Sequence, residues 1–221
     1  GFIKPFTIPA DGSTMELVAQ WEHDTDKAIW NAFTQVDSNT YALAYTGTAG
    51  NDGYIKTFTI SSDGSNIAVV QTKEHDANQG QFNSFIRMDS DTYLLAYQGF
   101  SSDGFLKTFP IPADGSTITQ VQSLEHDSYH SYYHSLVQVD YNTYALAYSG
   151  TSTNTGSSYY YSFLKTFTIP LDGSSITQVK SLQNTTDNNI GYYHSLIKLN
   201  SEEYALAYAG YGNDGFIDNF T

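Results

Sequence analysis

A unit of about fifty residues recurs from one end of this 221-residue chain to the other, and any fold it adopts has to accommodate that repetition first. The clearest copy runs from Gly53 to Asp103: GYIKTFTI, a turn SSDGS, NIAVVQTKEHD, a link ANQGQF, NSFIRMD, a turn SDT, YLLAYQG and FSSD. Equivalent starts fall at Gly1, Gly53, Gly104, Ser162 and Gly215, spaced by 51 to 58 residues. One architecture repeated around or along an axis is implied, and the chain reads as a single domain with repeats 1–52, 53–103, 104–161 and 162–214 and an extra strand 215–221.

Within each copy the signals are those of short strands. Asp11-Gly12, Asp63-Gly64, Asp114-Gly115 and Asp172-Gly173 stand in register, and Asp-Gly supplies the positive φ that a tight hairpin needs. A Glu-His-Asp run closes the returning strand at His23, His75 and His126. After a polar link comes a short strand (Ala32 to Val36, Ser84 to Met88, Ser135 to Val139, Ser195 to Leu199), a turn, and then the apolar run YALAY or YLLAY at Tyr41, Tyr93, Tyr144 and Tyr204. Apolar residues on both alternates and small Ala residues suit a strand sandwiched between sheets. No run has helical periodicity, so helix content should be near zero.

Four antiparallel strands per unit, joined by tight turns, resemble the blades of a β-propeller, and the resemblance extends over the whole chain. Neither the Gly-His and Trp-Asp pair of WD40 repeats nor the paired glycines of kelch repeats is present, so it stops at the architecture. It implies an all-β, four-bladed propeller of four-stranded antiparallel blades, with strands A (HSLVQV), B (YALAYSG), C (GFLKTF) and D (ITQVQSLEHD) from the axis outward. Because the chain starts at a C strand, the last A and B (193 to 209) should be completed by the first C and D (1 to 23), a closing blade shared between the N- and C-terminal strands. Gly215 to Thr221 is then redundant with Gly1 to Thr7, and it carries Asp218 where the other copies carry Lys4, Lys56, Lys107 and Lys165. A dimer sharing eight blades is the alternative ring.

Composition narrows the partners. A formal charge of −14 excludes a nucleic-acid footprint, and no apolar run is long enough to span a membrane. The absence of cysteine removes thiolate chemistry. An extracellular or cell-surface location is expected, where Asn184-Thr185-Thr186 and Asn219-Phe220-Thr221 would match the N-glycosylation pattern.

The links that enter strand A vary while the turns on the opposite face do not, and variable loops on a fixed scaffold are where binding sits. At that entrance every copy has an aromatic followed by a polar residue: Trp30-Asn31, Phe82-Asn83, Tyr133-His134 and Tyr193-His194. Aromatic faces stack on a pyranose and Asn or His bonds its hydroxyls, so these eight residues are the candidate ligand site for a glycan or other small polar molecule, lectin-like in character. The competing reading is that they cap strand ends and pack blade against blade. The Glu-His-Asp runs put adjacent residues on opposite strand faces and their copies on different blades, so no metal site is expected. Nor is a cofactor, although the oxygen-rich turns Asn51-Asp52, Ser102-Asp103 and Asn213-Asp214 have the chemistry for calcium. With no nucleophile motif or phosphate loop, the chain reads as non-enzymatic. The alternative is a self-assembling protein that uses strand 215–221 for pairing between molecules, giving a homo-oligomer.

Overall fold

The computed structural model describes residues 1–47, 50–151, 160–184, 191–210 and 214–220. It holds nineteen strands: β1 (Phe2–Ile3), β2 (Phe6–Thr7), β3 (Glu16–Leu17), β4 (Trp21–Glu22), β5 (Ile29–Gln35), β6 (Thr40–Thr46), β7 (Gly53–Ile60), β8 (Ile67–Asp76), β9 (Gln81–Arg87), β10 (Thr92–Gln98), β11 (Gly104–Pro110), β12 (Gln122–Asp127), β13 (Ser131–Asp140), β14 (Thr143–Thr151), β15 (Tyr160–Thr168), β16 (Thr177–Gln183), β17 (Tyr192–Lys198), β18 (Tyr204–Ala209) and β19 (Gly215–Phe220). A single 3₁₀ turn at Phe100–Ser102 is the only helical element among the described residues. The glycines of the Asp-Gly turns all have positive φ (67°, 74°, 69° and 68° at Gly12, Gly64, Gly115 and Gly173), as the sequence requires.

Three antiparallel four-stranded sheets follow one another, β5-β6-β7-β8, β9-β10-β11-β12 and β13-β14-β15-β16. A three-stranded sheet β17-β18-β19 comes after them, and the N-terminal residues form a hairpin of their own through β1-β4 and β2-β3. The core lies between the sheets. Each interface sets a small or aliphatic face against an aromatic one: Val36, Ala42, Ala44 and Ile55 of one blade meet Phe85, Tyr93, Tyr97 and Phe109 of the next, and Leu94, Ala96 and Leu106 meet Tyr144, Tyr148 and Phe167.

A buried clamp repeats across these interfaces. The B-strand tyrosine donates to the aspartate that ends the preceding D strand (Tyr45 to Asp24 at 2.9 Å, Tyr97 to Asp76 at 2.9 Å, Tyr148 to Asp127 at 2.6 Å). The C-strand lysine lies over the same ring (Lys56, Lys107 and Lys165, 5.4, 5.1 and 5.2 Å from the ring centroids) and donates to the carbonyl of His23, His75 or His126. The histidines pack edge-on to the tyrosines and under Gly1, Gly53 and Gly104, where a β-carbon would collide with the imidazole. Burial holds these imidazoles in the neutral form, His23 down to about 4 and His75 and His126 well below their ordinary value. Their role is packing.

The clamp also explains a departure from the expected closure. The C slot beside β18 is filled by the chain's own β19, with Leu206 opposite Asp218, and the N-terminal strands do not complete that blade. In the fourth copy Asn184 replaces the histidine and Thr185 the aspartate, so a lysine-bearing strand would find no aspartate there. Asp218 supplies the missing acceptor from the C strand itself, taking Tyr208 Oη at 2.9 Å and Asn184 Nδ2 at 2.7 Å. The N-terminal strand offers Lys4 instead and lacks a donor at Pro5. Replacing Asp218 with the repeat's lysine should therefore destabilise the protein by about 1–3 kcal/mol, since it strips a partly buried acceptor from two donors; urea denaturation of Asp218→Lys measures this.

The arc consequently ends in two unfinished faces. Phe6 is 54% exposed, whereas its repeat equivalents Phe58, Phe109 and Phe167 are fully buried; Ile217 is 75% exposed, whereas Ile55 and Leu106 are fully buried. Strands β5, β9, β13 and β17 pack in that order on the inside, and no comparable packing joins β17 back to β5 among the described residues.

Candidate functional site

The entrance to strand A has an unusual backbone in every blade. Trp30, Phe82, Tyr133 and Tyr193 have φ of 52°, 54°, 56° and 57°, the left-handed region that bulky residues rarely occupy. Each coincides with a β-bulge where strand A leaves its B partner. Such a conformation costs about 1–3 kcal/mol per residue and persists only where its surroundings hold it. Here the extra residue turns the ring out of the blade to meet the next one. Ring centroids lie 4.4 Å apart for Trp30 and Phe82, 4.6 Å for Phe82 and Tyr133, and 4.3 Å for Tyr133 and Tyr193, forming a continuous aromatic arc.

The polar residues that follow hold this arc in place. Asn83 Nδ2 donates to the carbonyl of Trp30 at 3.2 Å, and His134 Nδ1 lies 2.9 Å from the carbonyl of Phe82, so each blade grips the strained residue of the blade before it. The far nitrogen of His134 meets Ser131 Oγ, and that of His194 meets Ser162 Oγ, both at 2.8 Å. Both rings are buried, and burial lowers each to about 4. Asn31 makes only a local, exposed bond to the Ala28 carbonyl at 3.3 Å.

All eight residues expected from the sequence line one open depression of about 310 Å³. The chemistry is divided among them: the aromatics present the surface, while Asn83 and His134 position it by bonding between blades. Sequence reasoning missed a second group. Tyr132, Tyr160 and Tyr192, with Phe82, Tyr133 and Tyr193, line an adjoining cup of about 370 Å³. The doubled tyrosines at 132–133 and 192–193 and the Tyr-rich end of the insertion at 151–161 were its only trace in the sequence. Most of that insertion (152–159) and the link 185–190 lie outside the described residues, as does Asn213 of one oxygen-rich turn. Among the described residues no three His, Asp or Glu side chains gather as a metal site would require. No helix among them is long and apolar enough to cross a membrane.

No protein-family model and no curated relative matches the chain. Solved structures do. The GH93 α-L-arabinofuranosidase of Fusarium graminearum with arabinobiose superposes with a TM-score of 0.60 at 14% identity, over 99% of this chain and 65% of that one. The α-L-arabinanase of Penicillium chrysogenum complexed with arabinobiose gives 0.58 at 12% identity, over 99% and 66%. The NanB sialidase of Streptococcus pneumoniae gives 0.67 at 10% identity, over 99% and 35%. The chain thus spans less than two thirds of the length of these proteins. The expectation that the protein is not an enzyme does not stand, since solved structures with this architecture include glycoside hydrolases and a missing nucleophile motif excludes nothing. The four-stranded antiparallel sheets, the order in which they pack and these superpositions agree on one architecture: the fold is that of a β-propeller.

Proposed function

We propose that the protein recognises carbohydrate along the arc Trp30, Phe82, Tyr133 and Tyr193. The observation that carries this reading is the conformation: four aromatic residues held in a strained backbone, in register, so that their rings form one surface at the mouth of the inner strands. A structural role alone would be met by any residue at an ordinary φ. Ring faces match the apolar C–H faces of sugars, and backbone groups and Asn31 at the rim accept and donate to hydroxyls. Solved structures of the same fold hold arabinobiose, which makes arabino-oligosaccharides a sensible first probe beside a pyranose panel. An extracellular or cell-surface setting fits this ligand. Tyr193 is 64% exposed and is the cleanest handle: Tyr193→Ala should leave stability within about 0.5 kcal/mol of wild type and weaken glycan binding about tenfold, because stacked aromatics at such sites contribute on the order of 1 kcal/mol or more. A glycan array with the intact protein that shows no binding removes the proposal.

A second reading, self-association, is favoured by the unfinished faces. Ile197, Leu199 and Ile217 at one end are exposed aliphatics, Phe2 and Phe6 at the other are exposed aromatics, and these are the two halves of the interface used between blades. The outer edge of β19 also lacks a strand partner among the described residues. Sedimentation at a multiple of the chain mass, lost on deleting 215–221, supports it; a monomer at every concentration removes it.

A further inference from the structure

The adjoining cup breaks the repeat. The residue before the strained aromatic is Ile29, Gln81, Tyr132 and Tyr192 in successive blades, and the position of Tyr160 is taken by Asn51 and Ser102 in the two preceding C-strand approaches. Packing between blades is met equally well by all copies, so three tyrosines converging at one interface call for a separate explanation.

Their geometry is that of a box. Going round, the centroid separations are 5.3 Å for Tyr132 and Tyr160, 5.6 Å for Tyr160 and Tyr192, 5.8 Å for Tyr192 and Tyr133, and 6.3 Å for Tyr133 and Tyr132. The angles between the rings alternate, 80°, 47°, 83° and 43°, so the rings wall a hollow instead of stacking. The centre of a square of that side lies about 4 Å from each centroid, inside the ~6 Å over which a ring face attracts a cation. Among the described residues six line the hollow and none of them is charged, so none is a lysine that fills it. Elsewhere this chain does place lysines on its aromatic faces, Lys27 lying 5.9 Å from the Trp30 centroid. Burial raises the phenols of Tyr133, Tyr160 and Tyr192, Tyr160 to about 12, and the chain's −14 charge favours approach of a cation. Among the described residues neither an amide nor a carboxylate lines the cup to orient sugar hydroxyls, whereas Asn31 and Asn83 line the arc.

We infer that the box of Tyr132, Tyr133, Tyr160 and Tyr192 binds a quaternary ammonium group of the choline type by cation–π attraction. The site shares Tyr133 with the glycan arc, but the inference does not rest on the glycan reading, and the variants below are at Tyr160 and Tyr192, outside the arc. The test titrates the intact protein, followed by calorimetry or NMR at constant ionic strength, with choline, with tetramethylammonium and with 3,3-dimethylbutan-1-ol, the uncharged isostere of choline. Saturable binding of both cations, with the isostere at least about tenfold weaker, is expected. Tyr160→Leu and Tyr192→Leu should each weaken choline about tenfold, whereas Tyr160→Phe, which keeps the ring face, should stay within about threefold. Equal affinity for choline and its isostere would overturn the inference, and so would an absence of saturation, choline binding that survives both Leu changes, or loss of binding in Tyr160→Phe. If a Leu variant does not fold, the wild-type comparison of choline with its isostere still decides.

Discussion

Lowering the pH from 7 to 5 should sharply destabilise this protein, even though it is strongly acidic. Five of its six histidines are buried, and burial pushes His23, His134 and His194 to about 4 and His75 and His126 well below their ordinary value. The unfolded chain takes up these protons near pH 6.5, and the folded protein only near 4 at His23, His134 and His194 and well below 6.5 at His75 and His126. Between those values the unfolded state binds more protons, so stability is complete above pH 6.5 and falls as the pH drops through the window. For a ring shifted from 6.5 to 4 the loss at pH 5 is about 2 kcal/mol. The three rings lowered to about 4 together lose on the order of 6 kcal/mol, and His75 and His126 act in the same direction, against a whole domain stability of about 5–15 kcal/mol. Relief of repulsion among 23 acidic groups acts in the opposite direction, but those charges are mostly exposed and screened. Urea midpoints across this range check the sign: a steep fall is expected, and a flat or rising profile contradicts the clamp.

The second large effect is positional. Phe109→Ala should cost about 3–5 kcal/mol, because the ring is fully buried between two blades and its removal leaves a cavity. Phe6→Ala, the same change at the same place in the repeat, should cost less than about 1 kcal/mol, since that ring is half exposed at the open end of the arc. Measured in parallel by urea denaturation, the two variants report whether the ends are covered. Equal losses would mean that the N-terminal face is buried, by ring closure or by a second molecule.

The fold was legible because its determinants are local and repeated. Four Asp-Gly turns in register set the hairpins, and the YALAY runs, apolar on both alternates, become the B strands with inter-sheet cores on both faces. Closure was harder to read, because two strands of nearly the same sequence compete for one slot. The choice rests on Asp218 meeting Tyr208 and Asn184, a compensation visible only once the clamp geometry is known. The arc was half legible. Its aromatic positions stand out by register, but the sequence does not say that Asn83 and His134 spend their donors on the preceding blade. The tyrosine box was missed because its walls come from three separated segments whose convergence depends on how adjacent blades pack.

Trp30 and Trp21 are the chain's only tryptophans, and Trp30 stands at one end of the arc while Trp21 packs on Phe58 in the first interface. A fluorescence titration of Trp21→Phe with a panel of oligosaccharides therefore reads the arc directly. A saturable change in Trp30 emission is expected, with binding weakened about tenfold by adding Tyr193→Ala, the change expected of one lost stacking face. A saturable response that the Tyr193 change leaves untouched, or no response to any sugar in the panel, would contradict it.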